Sequence, residues 1–139
     1  MTHTDDAEQF LEIADRLFKA IERGEVNTLA EIYAPDATIW HNTDGKVEAP
    51  EQNLSGLRQF VALSSARAYT EIRRAPTPSG FVQQHVLRAQ LKNGREFVLP
   101  ACIICVVKNG RITRLDEYLD SAPLSALRSE LPFVSRYVS

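Results

Sequence analysis

One tetrapeptide occurs twice in the chain, and it constrains the fold more than any other feature. Lys-Asn-Gly-Arg stands at residues 92–95 and again at residues 108–111. Asn-Gly between alternating apolar runs is a strong β-hairpin signal, because both central residues of a type I′ turn adopt positive φ. The two turns therefore predict three consecutive antiparallel strands, at residues 81–91, 96–107 and 112–119.

The same turns predict the register of these strands if each Asn-Gly pair is a two-residue loop. Counting from the turns places His85 opposite Cys102, and Cys102 opposite Glu117. Residues paired across strands share a face, so a base, a thiol and an acid form one row. Titratable groups in an apolar wall are typical of a small-molecule pocket, and we predict Leu87 and Cys102 as ligand contacts. The other residues of this face are Ala89, Val98, Pro100, Ile104, Val106, Leu115 and Leu119.

The opposite face of the three predicted strands is apolar as well. Because the helices of a chain this size can cover only one face, the second face requires a partner. We therefore expect a homodimer that forms through this outer sheet face. Its predicted members are Val86, Phe97, Leu99, Ala101, Ile103, Cys105, Val107, Ile112 and Tyr118, together with Arg88 and Arg114.

The segments that precede these strands begin with two helical patterns. The first helix is predicted to begin at Thr4 or Asp5, which are suitable N-cap residues, and to end at Gly24. Apolar residues recur through it with helical spacing, so it presents one broad apolar face. A second, short helix is predicted to begin at Asn27 and to end at Pro35.

A strand, a loop, a helix and another strand are predicted to follow. Residues 36–42 are rich in β-branched and aromatic side chains and are read as a strand, whereas residues 43–52 are polar and are read as a loop. Asn53 or Ser55 is expected to begin the third helix, and residues 69–74 form a further strand. Because the elements segregate into early helices and late strands, they indicate an α+β fold.

The end of the chain shows one more helical pattern and an apolar tail. Pro123 is expected at the first position of a helix that continues to Leu131, with Leu127 on its apolar stripe. Residues 133–138 then form an apolar tail that should dock on the rest of the fold.

Length and charge exclude several classes of protein. A chain of 139 residues is expected to form a single domain, residues 1–139. The net charge is −2 and the basic residues form no patch, which argues against a nucleic-acid binder. No apolar run is long enough to span a membrane, and residues 1–8 are too polar for a signal peptide. We therefore expect a cytoplasmic protein with neither nucleic-acid nor membrane partners.

The sequence contains no motif that is typical of a metal or cofactor site. The histidines, cysteines and carboxylates lack the local spacing of a zinc site, so no metal is expected. Glycine-rich phosphate loops, nucleophile elbows and dinucleotide fingerprints are likewise missing, so no cofactor is expected.

Five segments of the chain follow a pattern shared with a known family. They are Gly24-Glu25-Val26, residues 29–37, Ile39-Trp40-His41-Asn42, and residues 108–112 and 116–120. In these segments the chain resembles the nuclear transport factor 2-like superfamily, and within it the SnoaL-like proteins related to polyketide cyclases and ketosteroid isomerases. The resemblance covers nearly the whole chain. It implies a cone-shaped α+β barrel, in which a strongly curved antiparallel or mixed sheet wraps on N-terminal helices around a deep pocket.

The resemblance also assigns individual positions. His41 stands where ketosteroid isomerases place their carboxylate base, and Cys102 stands where they place a protonated aspartate. Glu117 matches one catalytic aspartate of limonene-epoxide hydrolases, whereas His85 and Leu87 replace the arginine and second aspartate of those enzymes. The resemblance therefore implies the fold and the pocket, but neither complete set of catalytic residues.

Three residues are the candidate catalytic groups. The alternation of residues 36–42, together with the family resemblance, points His41 into the pocket, beside His85 and Glu117. A histidine–carboxylate pair can move protons near neutral pH, with either histidine as base and Glu117 as orienting group or acid. The alternative is structural: each histidine is a hydrogen-bonded wall residue, and Glu117 forms an ion pair with an arginine.

These residues lead to two expected functions. The first is a cofactor-free enzyme of isomerase, cyclase or dehydratase type that performs general acid–base chemistry on a small hydrophobic molecule. The second is a non-catalytic ligand-binding protein or a dimeric accessory module of the same fold. In either case Tyr33 and Trp40 are candidate ligand contacts, although aromatic residues at these positions also suit a core.

Overall fold

Four helices and six strands make up the computed structural model, which describes residues 3–125. The helices are α1 (His3–Arg23), α2 (Val26–Ile32), α3 (Pro50–Leu63) and α4 (Ala122–Ser125). The strands are β1 (Tyr33–His41), β2 (Val47–Glu48), β3 (Ser64–Thr77), β4 (Gly80–Leu91), β5 (Glu96–Lys108) and β6 (Arg111–Leu119). The predicted continuation of the last helix and the predicted docking of residues 133–138 lie outside the described residues.

The strands form one mixed sheet against which the helices pack. Its strand order is β2-β1-β6-β5-β4-β3, and β1 runs parallel to β6, whereas the other neighbouring strands are antiparallel. The sheet is curved and is not closed into a barrel. The predicted α+β class with a curved, mixed sheet on N-terminal helices is therefore confirmed.

The first helix follows its predicted pattern. Phe10, Ala14, Leu17 and Ile21 are buried, as their helical spacing requires. Beyond α1, Gly24 has a φ of +74°, which is the left-handed conformation that commonly ends a helix.

The boundaries of the next elements differ from the prediction. β1 already begins at Tyr33, so the short helix α2 ends before Pro35. α3 begins at Pro50 rather than at Asn53 or Ser55, because proline suits the first turn of a helix and the Gln52 side chain accepts a hydrogen bond from the Ala49 N–H at 2.9 Å. The predicted polar loop also contains the short strand β2.

Two buried apolar clusters hold the helices on the sheet. The first lies between α1, α2 and the sheet and includes Leu17, Leu29, Ile39 and Ile112. The second joins α3 and α4 to the β4–β5 hairpin and consists of Phe60, Leu87, Ala89, Leu91, Phe97, Leu99 and Leu124. In the described part of the chain, no helix is long and apolar enough to cross a membrane.

The first Asn-Gly turn has a different loop length from the one predicted. The Leu91 N–H donates to the Arg95 carbonyl at 2.8 Å, so the loop contains three residues and not two. Within it Gly94 adopts a φ of +91°, whereas Asn93 does not enter the positive-φ region. This is typical of three-residue hairpins, in which a turn is followed by a left-handed residue.

The second turn is the predicted two-residue loop, but a bulge follows it. Lys108 lies opposite Arg111, as predicted. Thr113 is then an extra residue in β6, because the register shifts by one residue at that point. Such a bulge reverses the side on which the following residues point.

The two offsets correct the predicted row of residues. His85 lies opposite Ala101 and not opposite Cys102, and Cys102 lies opposite Tyr118 and not opposite Glu117. Because two one-residue offsets cancel, His85 and Glu117 still share the inner face. Cys102 has moved to the outer face, so the prediction that it faces the pocket is wrong.

The faces of β5 are therefore the reverse of those predicted. Its odd-numbered residues from Phe97 to Val107 are buried, whereas its even-numbered residues point outwards. With this correction the outer face of the sheet carries both apolar and charged residues, among them Arg88, Arg114 and Asp116. It includes Val82, Val86, Val98, Cys102, Ile104, Val106 and Tyr118.

Candidate active site

A cavity lies where the two apolar clusters meet, between the inner face of the sheet and the helices. Its volume is about 100 Å³. Most of its wall is aliphatic or aromatic, with a few polar groups among them, which is the usual composition of a small-molecule site. The lining residues are Leu17, Ile21, Tyr33, His41, Asn53, Gly56, Leu57, Phe60, Tyr69, Leu87, Phe97, Leu99, Ile103, Leu115, Glu117, Leu119 and Leu124.

His41 is held between two carboxylates at one end of this cavity. Its Nε2 atom lies 3.0 Å from Oε1 of Glu117, and its Nδ1 atom lies 3.4 Å from Oε1 of Glu48. The sheet brings the three together, because His41 is paired in register with Glu117 and Glu48 is paired with Ile39, two residues before His41. Since both ring nitrogens face carboxylate oxygens, His41 is best suited to carry both protons and a positive charge.

The electrostatics of the cluster favour this charged form. Burial by itself lowers the pKa of His41, but the hydrogen bonds and charges of Glu117 and Glu48 outweigh it and raise the pKa to about 9. His41 is therefore an imidazolium at neutral pH. An imidazolium has no lone pair to accept a proton, so this arrangement does not favour His41 as the general base.

Glu117 is the most exposed member of the cluster, and it lines the cavity together with His41. Its side chain is 18% exposed, whereas the side chains of His41 and Glu48 are 5% and 6% exposed. A carboxylate has two oxygens and accepts several hydrogen bonds, so the contact with His41 leaves further acceptor capacity on Glu117. This residue can accept a proton from a molecule bound in the cavity.

Two tyrosines line the same cavity. The Tyr33 hydroxyl donates to Oδ1 of Asn53 at 3.0 Å, and both residues are buried. Burial raises the pKa of Tyr69 well above its usual value, and the negative charge of Glu117 raises it further. Tyr69 therefore stays protonated and can donate a hydrogen bond to a ligand oxygen.

His85 lies on the inner face but is occupied by a different partner. Its Nδ1 atom lies 3.0 Å from Nε2 of Gln83, and its ring contacts the edges of the Phe18 and Tyr69 rings. Burial lowers the pKa of His85, with opposing effects from the charges of Glu117 and Arg74. The histidine–carboxylate pair of this site is thus formed by His41, while His85 lies behind Tyr69.

Two of the four predicted ligand contacts lie at the cavity. Tyr33 and Leu87 line it, and their contact with a ligand stays a prediction. Trp40 does not line it, because it lies on β1 with its ring against Tyr118 of the outer face. Cys102 lies in an open groove on the other side of the sheet.

Three residues of the cavity region were missed by the sequence analysis. Their local sequence indicates a helix cap at Asn53 and an ordinary strand residue at Tyr69. Glu48 was placed in a loop, although Asp44-Gly45 between two apolar segments is itself a hairpin signal. That signal would have paired β2 with β1 and placed Glu48 near His41.

Histidine, cysteine and carboxylate side chains are the usual metal ligands in proteins. Among the residues that the structure describes, no group of three histidine, cysteine, aspartate or glutamate side chains could hold a metal ion. In the His41 cluster, the ring nitrogens face the carboxylate oxygens directly.

Comparison with known proteins identifies the domain type. The SnoaL-like domain matches residues 14–115 of the chain. A sequence search of curated proteins gives no match. Solved structures resemble the chain at low sequence identity and therefore support the fold alone.

Three of these structures show which kinds of protein share the fold. A limonene-epoxide-hydrolase-like epoxide hydrolase from M. tuberculosis has a TM-score of 0.71 and 12% identity, with 95% of this chain and 93% of that chain covered. IdmH from Streptomyces antibioticus, a proposed polyketide cyclase, has a TM-score of 0.69 and 22% identity, with coverage of 87% and 99%. A protein with a ketosteroid isomerase-like fold from Catenulispora acidiphila, solved with trimethylamine, has a TM-score of 0.69 and 19% identity, with coverage of 82% and 90%.

Proposed function

The chain belongs to the SnoaL-like domain family, and on that basis we propose that it is a cofactor-free enzyme that performs general acid–base chemistry on a small hydrophobic organic molecule. Glu117 is the general base, and His41 with Glu48 holds it in position. The observation that carries the proposal is that Glu117 joins a buried imidazolium to an apolar cavity.

The proposed chemistry is proton abstraction next to a carbonyl group. The C–H bond breaks, its proton goes to Glu117, and its electron pair forms the C=C bond of an enolate. The enolate oxygen accepts a hydrogen bond from Tyr69, which stabilises the developing charge. Return of the proton to another carbon gives isomerisation, attack of the enolate carbon on a second carbonyl gives ring closure, and loss of a β-hydroxyl group gives dehydration.

The size of the cavity limits the part of the ligand that it holds. A volume of about 100 Å³ is smaller than the roughly 150 Å³ of an engineered cavity that accommodates benzene. We therefore propose a bound group that is no larger than benzene, which is at most about six non-hydrogen atoms. Cyclopentanone has this size and carries exchangeable protons beside its carbonyl group.

The structural relatives are consistent with this class of function. One is an epoxide hydrolase, one is a proposed polyketide cyclase, and one was solved with trimethylamine, a molecule of four non-hydrogen atoms. Each description applies to the relative itself, and at sequence identities this low the relative's reaction cannot be assigned to this chain. They support a small-molecule pocket in this fold.

Deuterium exchange tests the proposal directly. Cyclopentanone is incubated with the protein in D₂O, and loss of its α-proton signals is followed by NMR. We expect exchange above the buffer rate, and we expect Glu117→Gln to reduce it by about 10²-fold or more, because the amide cannot accept the proton.

The neighbouring residue provides the matched control. Asp116 lies next to Glu117 but pairs with Arg114, so Asp116→Asn should leave the exchange rate unchanged. Equal exchange by the wild type and by Glu117→Gln, with both above the buffer rate, would show that Glu117 is not the base.

A non-catalytic binding module is the second candidate. It is favoured by the small cavity and by the saturation of both His41 nitrogens by carboxylates. Ligand affinity and proton exchange of the wild type and of Glu117→Gln distinguish the two candidates. A binding module shows no exchange in either form and retains its affinity. The enzyme loses exchange in Glu117→Gln and keeps its affinity within severalfold.

We also propose that two chains pair through the outer face of the sheet. Ile104 and Tyr118 of this face are 40% and 48% exposed, and partly buried valines and the Arg114–Asp116 pair lie on the same face. Exposed apolar side chains grouped on one sheet face favour a partner there, because pairing removes them from water. A second copy, which presents the same apolar surface, is the simplest partner.

A further inference from the structure

A line of polar side chains runs from the surface of α1 to the buried ring of His85. Oδ1 of Asp15 lies 3.7 Å from Nη1 of Arg74, and Nε of Arg74 donates to Oε1 of Gln83 at 2.6 Å. Nε2 of Gln83 then lies 3.0 Å from Nδ1 of His85. Arg74 and Gln83 are paired in register across β3 and β4, and Gln83 is completely buried.

The chemistry of these groups fixes the direction of each hydrogen bond. A guanidinium group only donates, so the Gln83 atom that faces Arg74 must be the amide oxygen. The amide nitrogen therefore faces His85 and donates to its Nδ1 atom, which must be unprotonated to accept. The single proton of a neutral His85 ring then lies on Nε2.

The surroundings of His85 also bear on its charge. Arg74 and Tyr69 approach it from β3, Asp15 lies beyond Arg74 on α1, and the charge of Glu117 acts on it from β6. Its partner on β5 is Ala101, which carries no charge. Arg74 opposes a positive charge on the ring and Glu117 favours one. The hydrogen bond from Gln83 can therefore determine the protonation state of His85.

We propose that Gln83 is a positioning residue that fixes His85 as the neutral Nε2–H tautomer, so that His41 is the only imidazolium beside Glu117 in the described part of the chain. Its role in the reaction rests on the proposed function, because a second imidazolium near Glu117 would weaken that carboxylate as a base. The assignment of the tautomer does not depend on any activity.

NMR of the imidazole nitrogens tests the assignment, since their chemical shifts distinguish the two tautomers and the cation. The chain has three histidines, and His41→Gln identifies the His41 signals by their loss. In the wild type we expect His85 to be neutral at pH 7 with its proton on Nε2. In Gln83→Glu, the carboxylate accepts from Nδ1–H, so His85 should become an imidazolium.

Two further variants make the experiment decisive. Gln84→Glu introduces the same charge on the adjacent residue, which is exposed on the other face, and it should leave the His85 signals unchanged. Arg74→Met removes the donor that orients the Gln83 amide, so both neutral tautomers of His85 should become populated. A wild-type proton on Nδ1, or His85 signals that Gln83→Glu and Arg74→Met both leave unchanged, would overturn the proposal.

The exchange assay measures the consequence for the reaction. We expect Gln83→Glu to lower the rate about tenfold at pH 7, which corresponds to roughly 1.4 kcal/mol of barrier, and we expect Gln84→Glu to have no effect. The loss should recover at a pH high enough to deprotonate His85. An unchanged rate in a variant whose His85 is charged would overturn the link to Glu117, whereas failure of the wild type to exchange protons would count against the proposed function alone.

Discussion

His41 and Glu117 are hydrogen-bond partners because they occupy paired positions on the parallel strands β1 and β6. The contact is 3.0 Å from Nε2 to Oε1, and the backbone N–H of Asn42 donates to the carbonyl of Glu117 beside it. The strands thus hold both residues at their main chains as well as at their side chains. Of the two, the histidine holds the proton and the carboxylate is the more exposed, whereas the sequence led us to expect a histidine as base and Glu117 as acid or orienting group.

The stability of the protein should depend on the protonation of His41. Its pKa rises from 6.5 in the unfolded chain to about 9 in the folded state, so the folded state binds this proton more tightly. The contribution is complete below pH 6.5 and is lost as the pH rises to about 9. We expect a loss on the order of 3 kcal/mol in the free energy of unfolding over this range.

Urea unfolding at several pH values measures this dependence. The wild type should lose stability from pH 6.5 to 9, whereas His41→Gln, which has no imidazole to titrate, should show a much flatter profile. Equal slopes for the two proteins would mean that His41 is not protonated in the folded state.

The sequence predicted the class of fold because its evidence was local. Helical spacing of buried residues such as Leu17, and Asn-Gly turns between apolar runs, depend on neighbouring residues only. The register could not be predicted in the same way. Lys-Asn-Gly-Arg forms a three-residue loop at Asn93 and a two-residue loop at Asn109, which alone of the two asparagines has positive φ. Strand packing, and not the tetrapeptide, selects between these turns.

In the candidate site, too, local patterns could be predicted, whereas strand pairing could not. Glu117 and His85 were placed on the inner face correctly, but only because the loop error and the bulge at Thr113 cancel. Pairing of His41 with Glu117 requires the parallel contact of β1 with β6. These are the first and last strands along the chain, so their contact leaves no local signal. Glu48 is different, because it reaches His41 through the hairpin of β1 with β2, for which Asp44-Gly45 is a local signal.

Tyr69 should contribute to turnover through its hydroxyl group. Tyr69→Phe keeps the ring against His85 and removes only the donor, so we expect exchange of cyclopentanone to fall by about 10²-fold with little change in stability. Tyr118→Phe makes the same change on the outer face and should have no effect. Similar rates for the two variants would exclude Tyr69 as the hydrogen-bond donor.

The cavity should discriminate between ligands by charge. Glu117 lines it and one imidazolium faces two carboxylates, so an anionic ligand meets repulsion in an apolar enclosure. We expect cyclopentanecarboxylate to bind at least about tenfold more weakly than cyclopentanone at pH 7 in calorimetric titrations. In Glu117→Gln the difference should shrink. A carboxylate that binds as well as the ketone would contradict the charge assigned to the site.

The outer face should determine the oligomeric state. Ile104→Arg adds a charge on the outer face that pairing would have to remove from water, and Asp116 opposite it in register is already paired with Arg114. We expect sedimentation to show a dimer for the wild type and a monomer for this variant, with unfolding stability nearly unchanged when both are compared as monomers. Gln9→Arg, on the exposed side of α1, adds the same charge and should remain dimeric. If Ile104→Arg sediments like the wild type, the outer face is not the interface, and its apolar residues must be exposed for another reason.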